Sequence, residues 1–553
     1  MPVVIIDEVR AEVPEGTTIL EAARRVGIEI PALCCRPDCS PSTSCMCCVV
    51  RIEGGKGLVP SCATMVRDGM RVASETEEIR QARRTALELL LSDHVGDCRS
   101  PCQNACPAHM DISTMIRQIA AGQMGDAIVT VKQDIALPAI LGRICPAPCE
   151  PGCRRNQAGG PVAVCLLKRY VADVDLASPE PHLPPMVEPS GKRVAVVGAG
   201  PTGLATAYYL RRLGHGCTVL DRHERPGGGL RYGVEPERLP QDVLQGEIRI
   251  IERMGAEFRL GTELGRGISL SELRQGFDAV VLAFGTLEPA RLAELGLRTG
   301  KRGVAVNPAT FQTDLEGVFA GGGATRPLKI AVRSVAEGKA LALCVDQYLT
   351  GRPIAAPSQG FNTRMGRLDP EQLESFLVGA NRQDRHAPGG GETAGFTREE
   401  ALAEARRCLH CDCAAASDCK LRLWAERYGA DPRRFSGEVA RRVEKRQENP
   451  WVVFEPGKCI TCGLCVQIAR RGDERLGLSF VGRGFQVRID VPLGGDLAEG
   501  LEKTARLCIE ACPTGALSAG PDETPAERAS GSDCLPGPRE APDSSNVTAE
   551  SNE

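Results

Sequence analysis

KRVAVVGAGPTGLATAYYLRRLGHGCTVLD, at residues 192–221, decides the fold of the central part of this chain. Its apolar start, RVAVV, predicts a buried parallel strand, and the glycines that follow open a predicted helix. In such a turn Gly198 allows the chain to reverse, Gly200 lets backbone approach a pyrophosphate, and Gly203 lets the helix pack on the strand. Asp221, at the tip of the second predicted strand, can accept a hydrogen bond from a ribose hydroxyl. Strand, turn, helix, strand and acid in this order predict a dinucleotide-binding fold.

Two further glycine-rich stretches follow, PGGGLRYG at residues 226–233 and GVFAGG at residues 317–322, the second ahead of a predicted helix near residues 329–349. With the first stretch they resemble the FAD domain of the glutamate synthase small subunit and of dihydropyrimidine dehydrogenase, over roughly residues 98–350. The resemblance implies that both stretches contact FAD and that the second helix points its N-terminus at the flavin. Gly323 departs from the family, which usually has an acidic residue there. The residues expected to contact FAD are Gly198, Gly200, Pro201, Thr202, Gly203, Asp221, Gly228, Gly229, Leu230, Arg231, Gly321 and Gly322.

The family's second nucleotide-binding domain is missing from this sequence. In the family a βαβ domain that binds NAD(P)H interrupts the FAD fold. Here the first FAD segment ends with FDAVVLAFG at residues 277–285, and the second has begun by Asn307, so that about twenty residues lie between them. A βαβ unit needs ~30 residues, and the sequence has no second GxGxxG. We therefore expect an FAD domain at residues 192–351 that lacks the nicotinamide insert.

Cysteine is the main compositional feature, with 26 residues that come largely in clusters of metal-ligand spacing. A secreted disulfide scaffold would be short and would carry a signal peptide, whereas this chain is long and starts with a strand-like alternation. The net charge of -4 offers no basic field for nucleic acid, and no apolar run approaches the ~18 residues of a membrane helix. We therefore expect iron–sulfur clusters in a reducing cytoplasm, with no nucleic-acid partner and no membrane insertion.

Residues 1–76 are predicted to form a small α+β domain around a cysteine-rich loop. Four thiolates from this loop and a later strand suit a [2Fe-2S] cluster, because two irons need four terminal ligands; zinc is the alternative, but the outer spacings fit it poorly. The expected ligands are Cys34, Cys45, Cys48 and Cys62. With IPALC before the loop and GLVPSC after it, the segment resembles the plant-type-related ferredoxin domain, a β-grasp fold, of the large iron–sulfur subunit of complex I. The additional thiols are expected to be packed, although Cys35 could compete with Cys34.

A helical domain with two runs of cysteines is predicted at residues 77–176. It resembles the domain that precedes the flavin in dihydropyrimidine dehydrogenase, where two [4Fe-4S] clusters are bound by interleaved cysteines. The resemblance assigns Cys98, Cys102 and Cys153 to one cluster, and Cys106, Cys145 and Cys149 to the other.

Each of these two sets is one ligand short of four. His94 is the nearest candidate for the first set, since imidazole can ligate iron and LELLLSDHVGDC resembles the histidine-ligated site of the complex I subunit; a surface or capping histidine is the alternative. In the second set Lys168 stands near the family's last ligand position and cannot ligate while protonated. Cys165 lies one helical turn away and can.

Residues 177–191 and 352–397 are rich in proline, glycine and polar residues and are predicted to be linkers. Residues 398–430 are predicted to form a small four-cysteine module. Its cysteines are Cys408, Cys411, Cys413 and Cys419. Four cysteines in one turn-rich stretch hold either a [4Fe-4S] cluster or structural zinc, and the redox character of the neighbouring modules favours the cluster.

Residues 431–518 resemble a bacterial two-cluster ferredoxin that has lost one cluster. One ligand set is intact and consists of Cys459, Cys462, Cys465 and Cys512. The other set would need cysteines at positions 469, 502, 505 and 508, of which only Cys508 is present, so that Cys508 is expected to be a core thiol. Residues 519–553 are polar, acidic and rich in Pro and Ser, which predicts a disordered tail in which Cys534 binds nothing.

The sequence thus predicts a multidomain α/β and α+β protein with five modules. They are a β-grasp ferredoxin domain, a helical two-cluster domain, a Rossmann-like FAD domain, a small four-cysteine module and a ferredoxin-like 4Fe-4S module. FAD accepts two electrons and passes them singly, while clusters carry one at a time. We therefore expect an electron-transferring oxidoreductase subunit that holds FAD, one [2Fe-2S] cluster and about four [4Fe-4S] clusters.

No substrate acid–base pair is evident, so no catalytic residue is predicted and the terminal chemistry is expected on a partner redox subunit. A dehydrogenase, hydrogenase or diaphorase-like subunit would fit, and ferredoxin is a further candidate partner. Two alternatives stay open: a non-enzymatic cluster wire with a structural flavin, and a glutamate synthase small subunit.

Overall fold

The computed structural model describes residues 1–435, 437 and 443–520, which fall into two compact units. The first unit consists of residues 1–95 together with the C-terminal part from Ser417, and the second of residues 96–416. The predicted tail at 519–553, with Cys534, lies outside the described residues apart from its first two positions. In the described part of the chain no helix combines the length and the apolar character needed to cross a membrane.

The N-terminal part of the first unit is a mixed five-stranded sheet packed on the helix Ile19–Arg25. The strands are Val3–Ile6, Val9–Glu12, Val49–Ile52, Leu58–Pro60 and Met70–Ala73. The helix begins with a capping box, in which the Thr18 hydroxyl accepts a hydrogen bond from the Glu21 amide and the Glu21 carboxylate accepts one from the Thr18 amide. Its buried Leu20 packs in one apolar core with Val4 and Ile6 of the first strand.

The rest of the first unit carries two small sheets and several helices. One sheet is antiparallel and contains Arg446–Asn449, Val452–Phe454 and Leu517–Ala519, and the other pairs Ser479–Val481 with Arg488–Asp490. The α-helices are Glu77–Ser92, Lys420–Arg427, Leu464–Arg471, Leu497–Gly500 and Ala505–Ala511, and the 3-10 turns are Pro456–Lys458, Gly484–Gln486 and Pro492–Gly494.

Arg83, on the helix Glu77–Ser92, joins the parts of the first unit. Its side chain is fully buried. Its guanidinium donates to the Val49 carbonyl at 2.9 Å and to the Tyr428 hydroxyl at 2.7 Å. The N-terminal sheet and the segment that follows the helix Lys420–Arg427 are therefore fastened to the same side chain.

A parallel five-stranded sheet forms the centre of the second unit. In spatial order its strands are Val318–Ala320, Ala279–Leu282, Arg193–Val197, Gly216–Leu220 and Glu257–Arg259. Among the described residues this is the only sheet whose strands are all parallel. The helices Pro201–Arg212 and Ala331–Leu349 pack closely because Gly338 has no side chain: a Cβ there would lie 2.5 Å from the Thr202 carbonyl oxygen.

A group of helices precedes the parallel sheet in the second unit. They are Pro101–Ala105, Ile112–Ala120, Met124–Asp134, Pro138–Ile144 and Val164–Leu176, with a 3-10 turn at Arg154–Gln157. The other helices of the unit are Pro201–Arg212, Gly229–Tyr232, Gln241–Arg253, Leu270–Gly276, Pro289–Glu294, Ala331–Leu349, Pro370–Leu377 and Arg398–Ala405, with a 3-10 turn at Gly322–Ala324.

Glu247 connects these helices to the sheet-containing part of the unit. Its buried carboxylate accepts hydrogen bonds from the amides of Ala139 and Ile140, at 2.8 and 3.1 Å. It therefore caps the helix Pro138–Ile144, which has no side-chain cap of its own.

Residues 352–397, predicted to be a linker, pack back on the helices of the second unit. The Gly366 carbonyl accepts from the guanidinium of Arg154 at 2.8 Å, and the Asn381 carbonyl accepts from Arg155 at 2.7 Å. The predicted module at 398–430 is divided, because the boundary between the two compact units falls between Ala416 and Ser417. Cys408, Cys411 and Cys413 therefore belong to the second unit and Cys419 to the first.

Candidate flavin and iron–sulfur sites

A cavity of about 860 Å³ opens at the carboxyl ends of the parallel strands in the second unit. Its size lies in the usual range for a bound cofactor, and its position beside the first strand–helix turn is where this type of sheet binds dinucleotides. Predicted FAD contacts that line it are Gly198, Gly200, Pro201, Thr202, Asp221, Gly228 and Gly229. Lining residues that the sequence did not single out include Tyr232, Arg266, Phe284, Arg291 and Ser334.

The backbone of this cavity fits a group that approaches main chain closely. A Cβ added at Gly228 would lie 2.8 Å from the Cα of Gly200, so that two bare backbones meet at the cavity wall. A Cβ added at Gly200 would have no atom nearer than 4.0 Å, and it would occupy space that belongs to the cavity. These two glycines therefore form a cradle that a side chain would fill, as a pyrophosphate requires.

Gly198 shapes the turn from behind. It has a φ of 114°, and a Cβ there would lie 2.3 Å from the Ala283 carbonyl oxygen. Gly203 lets the helix approach the same turn, because its Cβ would lie 1.8 Å from the Gly198 carbonyl oxygen. The two residues hold the cradle in place.

The Asp221 carboxylate fastens the glycine turn as well as facing the cavity. It accepts from the Ala199 amide at 2.7 Å and from the His223 amide at 2.9 Å. The predicted bond to a ribose hydroxyl stays a prediction, and the carboxylate lines the cavity where such a bond would form.

The other predicted FAD contacts lie behind the cavity wall. Arg231 is buried, and its guanidinium donates to the Pro226 carbonyl and the Gln241 side chain, each at 2.6 Å. Leu230 is buried in the apolar core. Close packing fixes Gly321 and Gly322: a Cβ at Gly322 would lie 2.2 Å from the Thr202 hydroxyl oxygen.

Gly323 itself lines the cavity. A Cβ at this position would lie 3.0 Å from the Cα of Gly285, so an acidic residue would fit only with a shift of that backbone. A carboxylate reaches the neighbouring position from another element, since the Glu337 side chain accepts from the Gly322 amide at 2.9 Å.

The predicted [2Fe-2S] ligands are buried and lie in two pairs in the first unit. The sulfurs of Cys34 and Cys45 are 3.4 Å apart. A hydrogen bond with Cys62 lowers the pKa of the Cys48 thiol to about 6, so these two thiols are also neighbours. Two pairs of thiols match a cluster in which each of two irons takes two terminal ligands. A hydrogen bond with the Cys62 thiol lowers the pKa of the Cys35 thiol. Cys35 therefore lies beside the pair of Cys48 and Cys62 as well as beside Cys34.

Four predicted ligands of one [4Fe-4S] cluster line a single small cavity in the second unit. They are Cys106, Cys145, Cys149 and Cys165. Apolar side chains such as Ile112, Val164 and Val332 complete the wall. Lys168 also lines this cavity: burial lowers the pKa of its ammonium, but the surrounding thiolates, Cys165 first, raise it above its ordinary value.

The predicted C-terminal ligands also share one cavity, in the first unit. They are Cys459, Cys462, Cys465 and Cys512. The apolar side chains of Phe454, Leu464 and Ile489 also line this cavity. Cys508 is fully buried beside it, and its thiol points at the Cys465 carbonyl at 3.7 Å.

Three further predicted ligands, Cys98, Cys419 and His94, lie in separate surroundings. Cys98 lies in the second unit with its sulfur 3.3 Å from the Thr363 hydroxyl, and the Cys419 sulfur lies 3.9 Å from the Pro513 carbonyl of the first unit. The His94 amide donates to the Leu91 carbonyl at the end of the helix Glu77–Ser92, and its role as a ligand stays a prediction. In the described part of the chain no three His, Cys, Asp or Glu side chains are arranged to hold a single metal ion.

Three family models match parts of this chain. Residues 3–77 match a 2Fe-2S iron-sulfur cluster binding domain, residues 70–179 match dihydropyrimidine dehydrogenase domain II with its 4Fe-4S cluster, and residues 152–338 match a pyridine nucleotide-disulphide oxidoreductase domain. These matches confirm the resemblance to a [2Fe-2S] domain, to the dihydropyrimidine dehydrogenase cluster domain and to a flavin-type oxidoreductase domain.

Curated relatives share about a third of this chain. The NADPH-Fe(3+) oxidoreductase subunit beta of Geobacter sulfurreducens is 39% identical over 37% of this chain and 31% of its own length. The NADP(+)-dependent formate dehydrogenase subunit beta of Moorella thermoacetica is 34% identical over 37% of this chain and 32% of its own. The NAD-dependent dihydropyrimidine dehydrogenase subunit PreT of Salmonella typhimurium is 35% identical over 34% of this chain and 45% of its own. The chain thus spans less than half the length of each relative.

Proposed function

We propose that the chain is an electron-transferring iron–sulfur flavoprotein, a subunit that passes electrons between FAD, its clusters and a partner redox subunit. The observation that carries the proposal is the first turn of the helix Ala331–Leu349. Val332 lines the cavity of Cys106, Cys145, Cys149 and Cys165, and Ser334, two residues on, lines the glycine-walled cavity. One turn of helix therefore separates the proposed flavin site from the nearest cluster site.

The residues of the chain divide the work between them. Bound FAD supplies two-electron acceptance with one-electron release. The bare backbones of Gly200 and Gly228 leave room for its pyrophosphate without covalent attachment. Apolar walls around the thiol cavities keep water from the clusters, which sets their potentials together with nearby charges.

Within the first unit, the [2Fe-2S] loop is bonded to the ligand helix of the C-terminal cluster. The Gln467 side chain accepts from the Ser40 amide at 2.9 Å and donates to the Ser40 carbonyl at 3.0 Å. The charge of Cys34 is among those that raise the pKa of Cys462 after burial, so the two thiol groups are neighbours. These two sites would serve as the ports through which other proteins exchange electrons with the chain.

The partner is proposed to be a dehydrogenase, hydrogenase or diaphorase-like subunit, with ferredoxin as a further candidate and a reducing cytoplasm as the setting. The names of the relatives support a subunit role, because two are beta subunits and the third is also a subunit of an oxidoreductase. The names of those relatives also include NADPH, NADP(+) or NAD. In the described residues of this chain there is one parallel sheet, and FAD would occupy the glycine turn of that sheet. We propose that electrons reach this flavin from a partner rather than directly from NAD(P)H.

Photoreduction of the flavin in the anaerobically reconstituted full chain tests the proposal. We expect cluster absorbance to bleach and cluster EPR signals to grow after the flavin is reduced. A reduced flavin that leaves every cluster oxidised would identify a structural flavin and a separate cluster wire.

Stopped-flow mixing with NADH or NADPH tests the source of electrons. We expect no saturable flavin bleaching in the isolated chain, because hydride transfer needs the nicotinamide ring held close to the flavin. Rapid saturable bleaching by either nucleotide would contradict the proposed dependence on a partner.

A further inference from the structure

A third group of four thiols gathers in the second unit from distant parts of the sequence. They are Cys102, Cys153, Cys408 and Cys411. We propose that these four thiols ligate one [4Fe-4S] cluster. The segment that carries Cys408 and Cys411, called the late segment below, would then complete a site for which Cys102 and Cys153 alone are too few. The proposal rests on the proposed function only in taking the bound group to be an iron–sulfur cluster.

The late segment is anchored against the region that follows Cys153. Glu404 and Arg407, at the end of the helix Arg398–Ala405, have no exposed side-chain surface and form an ion pair at 2.7 Å. The Glu404 carboxylate accepts from the Ala163 amide at 2.8 Å, and the Arg407 guanidinium donates to the Gly160 carbonyl at 2.9 Å. A buried pair with this many bonds fixes the backbone that leads directly into Cys408.

A second set of anchors lies just beyond Cys411. The Asp412 carboxylate pairs with Arg117 at 2.6 Å, on the helix Ile112–Ala120. The Cys413 amide donates to the Cys98 carbonyl at 3.4 Å. Cys408 and Cys411 are therefore held from both sides against segments near Cys102 and Cys153.

The four thiols lie close enough together to influence one another. The Cys102 sulfur lies 3.1 Å from the Ser100 hydroxyl, and the thiols that act on it at short range are Cys408, Cys153 and Cys411. Burial raises the pKa of Cys411 to about 12, and the charge of Cys153 adds to this. Cys102 therefore lies within short range of the other three thiols.

A cation stands beside this group. Arg154, the residue after Cys153, bonds the Cys411 sulfur and pairs with the buried Asp97. Four thiolates on a cluster would bring negative charge into the interior, and a guanidinium in contact with one of them offsets part of it.

Cys98 and Cys413 lie next to this group but are held in other ways. The Cys98 sulfur lies 3.3 Å from the Thr363 hydroxyl, which itself donates to the Gly96 carbonyl at 2.7 Å. Cys413 is buried and contributes its backbone amide to the early segment. These two cysteines provide matched controls, since each is a buried thiol adjacent in sequence to a proposed ligand segment.

Iron and sulfide analysis of the anaerobically reconstituted full chain tests the proposal directly. The wild type should bind about 14 irons, from one two-iron and three four-iron clusters, rather than about 18 from a separate cluster at Cys408–Cys419. Cys102→Ala and Cys408→Ala should each remove about four irons, and the double variant should remove the same four rather than eight. Cys98→Ala and Cys413→Ala should keep the wild-type iron content and Mössbauer spectrum.

Flavin content distinguishes the outcomes. A variant that fails to fold would lose flavin and all clusters together. In that case the iron content of the wild type alone decides between three and four [4Fe-4S] clusters. A count of about 18 irons, additive losses in the double variant, or loss of a cluster in Cys98→Ala would overturn this ligand set. Failure of the proposed function has a different signature, in which clusters load as expected but do not accept electrons from the flavin.

Discussion

Two groups of four thiols lie in the same compact unit, and they differ in where their members come from and in the charge beside them. Cys106, Cys145, Cys149 and Cys165 come from one stretch of about sixty residues and share their cavity with the buried Lys168. The second group joins Cys102 and Cys153 to Cys408 and Cys411, and its neighbouring cation, Arg154, is paired with Asp97.

The two groups therefore differ in how the ligands are brought together and in the net charge beside them. The first group is built by its own helices. The ammonium of Lys168 faces its thiols, and the charges that act most on this ammonium are those of the thiols themselves. The second depends on a distant segment, and a carboxylate shares the charge of its cation. A net positive charge favours the reduced state of a cluster, so the group beside Lys168 should have the higher potential and should hold the electron that arrives from the neighbouring flavin.

Gly200→Val should have the largest effect, and it should leave both thiol groups loaded. The valine side chain would fill the pyrophosphate cradle, so we expect loss of flavin with unchanged iron content. Flavin release after acid precipitation and iron analysis measure the two quantities. Full flavin content in this variant would show that the glycine stretch is only a structural turn.

Glu404→Ala should separate the two thiol groups. Breaking a buried ion pair costs about 3–5 kcal/mol, and the loss falls on the segment that carries Cys408 and Cys411. We expect loss of the cluster at the second group while the first stays loaded, as seen by EPR of the two reduced clusters. Glu399→Ala, on an exposed position of the same helix, is the matched control and should change neither. Equal loss of both clusters would mean that the groups are not independent.

Lys168→Met should change the charge contrast while keeping the shape of the side chain. Removing an ammonium that lines the same cavity as the thiols should lower the potential of the first cluster by on the order of 100 mV. Redox titration followed by EPR measures it. The potential of the second cluster should stay within a few tens of millivolts, and a shift of equal size in both would contradict the assignment of Lys168 to one site.

Glu247 should give the smallest effect, which is a pH dependence of the free energy of unfolding. Its carboxylate caps the helix Pro138–Ile144, which leads into Cys145 of the first group. Burial raises the pKa of its carboxyl from 4.5 to about 7. The folded chain then holds a proton that the unfolded chain releases, so this contribution to stability is present below pH ~4.5 and is lost as the pH rises through ~7. Between pH 6 and pH 8 the free energy of unfolding should fall by about 1 kcal/mol from this group. Thermal unfolding across this range should show the slope in the wild type and a flatter one in Glu247→Gln.

The order of motifs along the sequence predicts much of this arrangement, because most functional groups are local. The glycine turn that begins at Gly198 and the Asp221 that follows the strand Gly216–Leu220 contribute one wall of the glycine-lined cavity. The same holds for Cys459, Cys462 and Cys465, which form a short run that needs one distant partner, Cys512, marked by the proline that follows it.

The ligand set that we propose for the second thiol group could not be predicted in this way, because spacing grouped Cys408 and Cys411 with Cys413 and Cys419. One signal was present, because the early set of Cys98, Cys102 and Cys153 lacked a fourth cysteine. The packing of residues 352–397 gave no signal, since the Gly366 and Asn381 carbonyls that bind the buried arginines have no side-chain signature. Arg231 is bonded to the following helix, and its contact with a flavin stays a prediction.

The buried pair of Glu404 and Arg407 has a consequence for how the protein is made. A ribosome releases the four thiols of the first group once Cys165 has emerged, whereas the second group must wait until Cys411 is synthesised, about 250 residues later. With the proposed ligand set, Cys102 and Cys153 have no cluster to protect them from other metals and from oxidants during that interval. On that ligand set we expect cluster loading in a fixed order, with the second cluster completed only after the segment that carries Cys408 and Cys411 has docked.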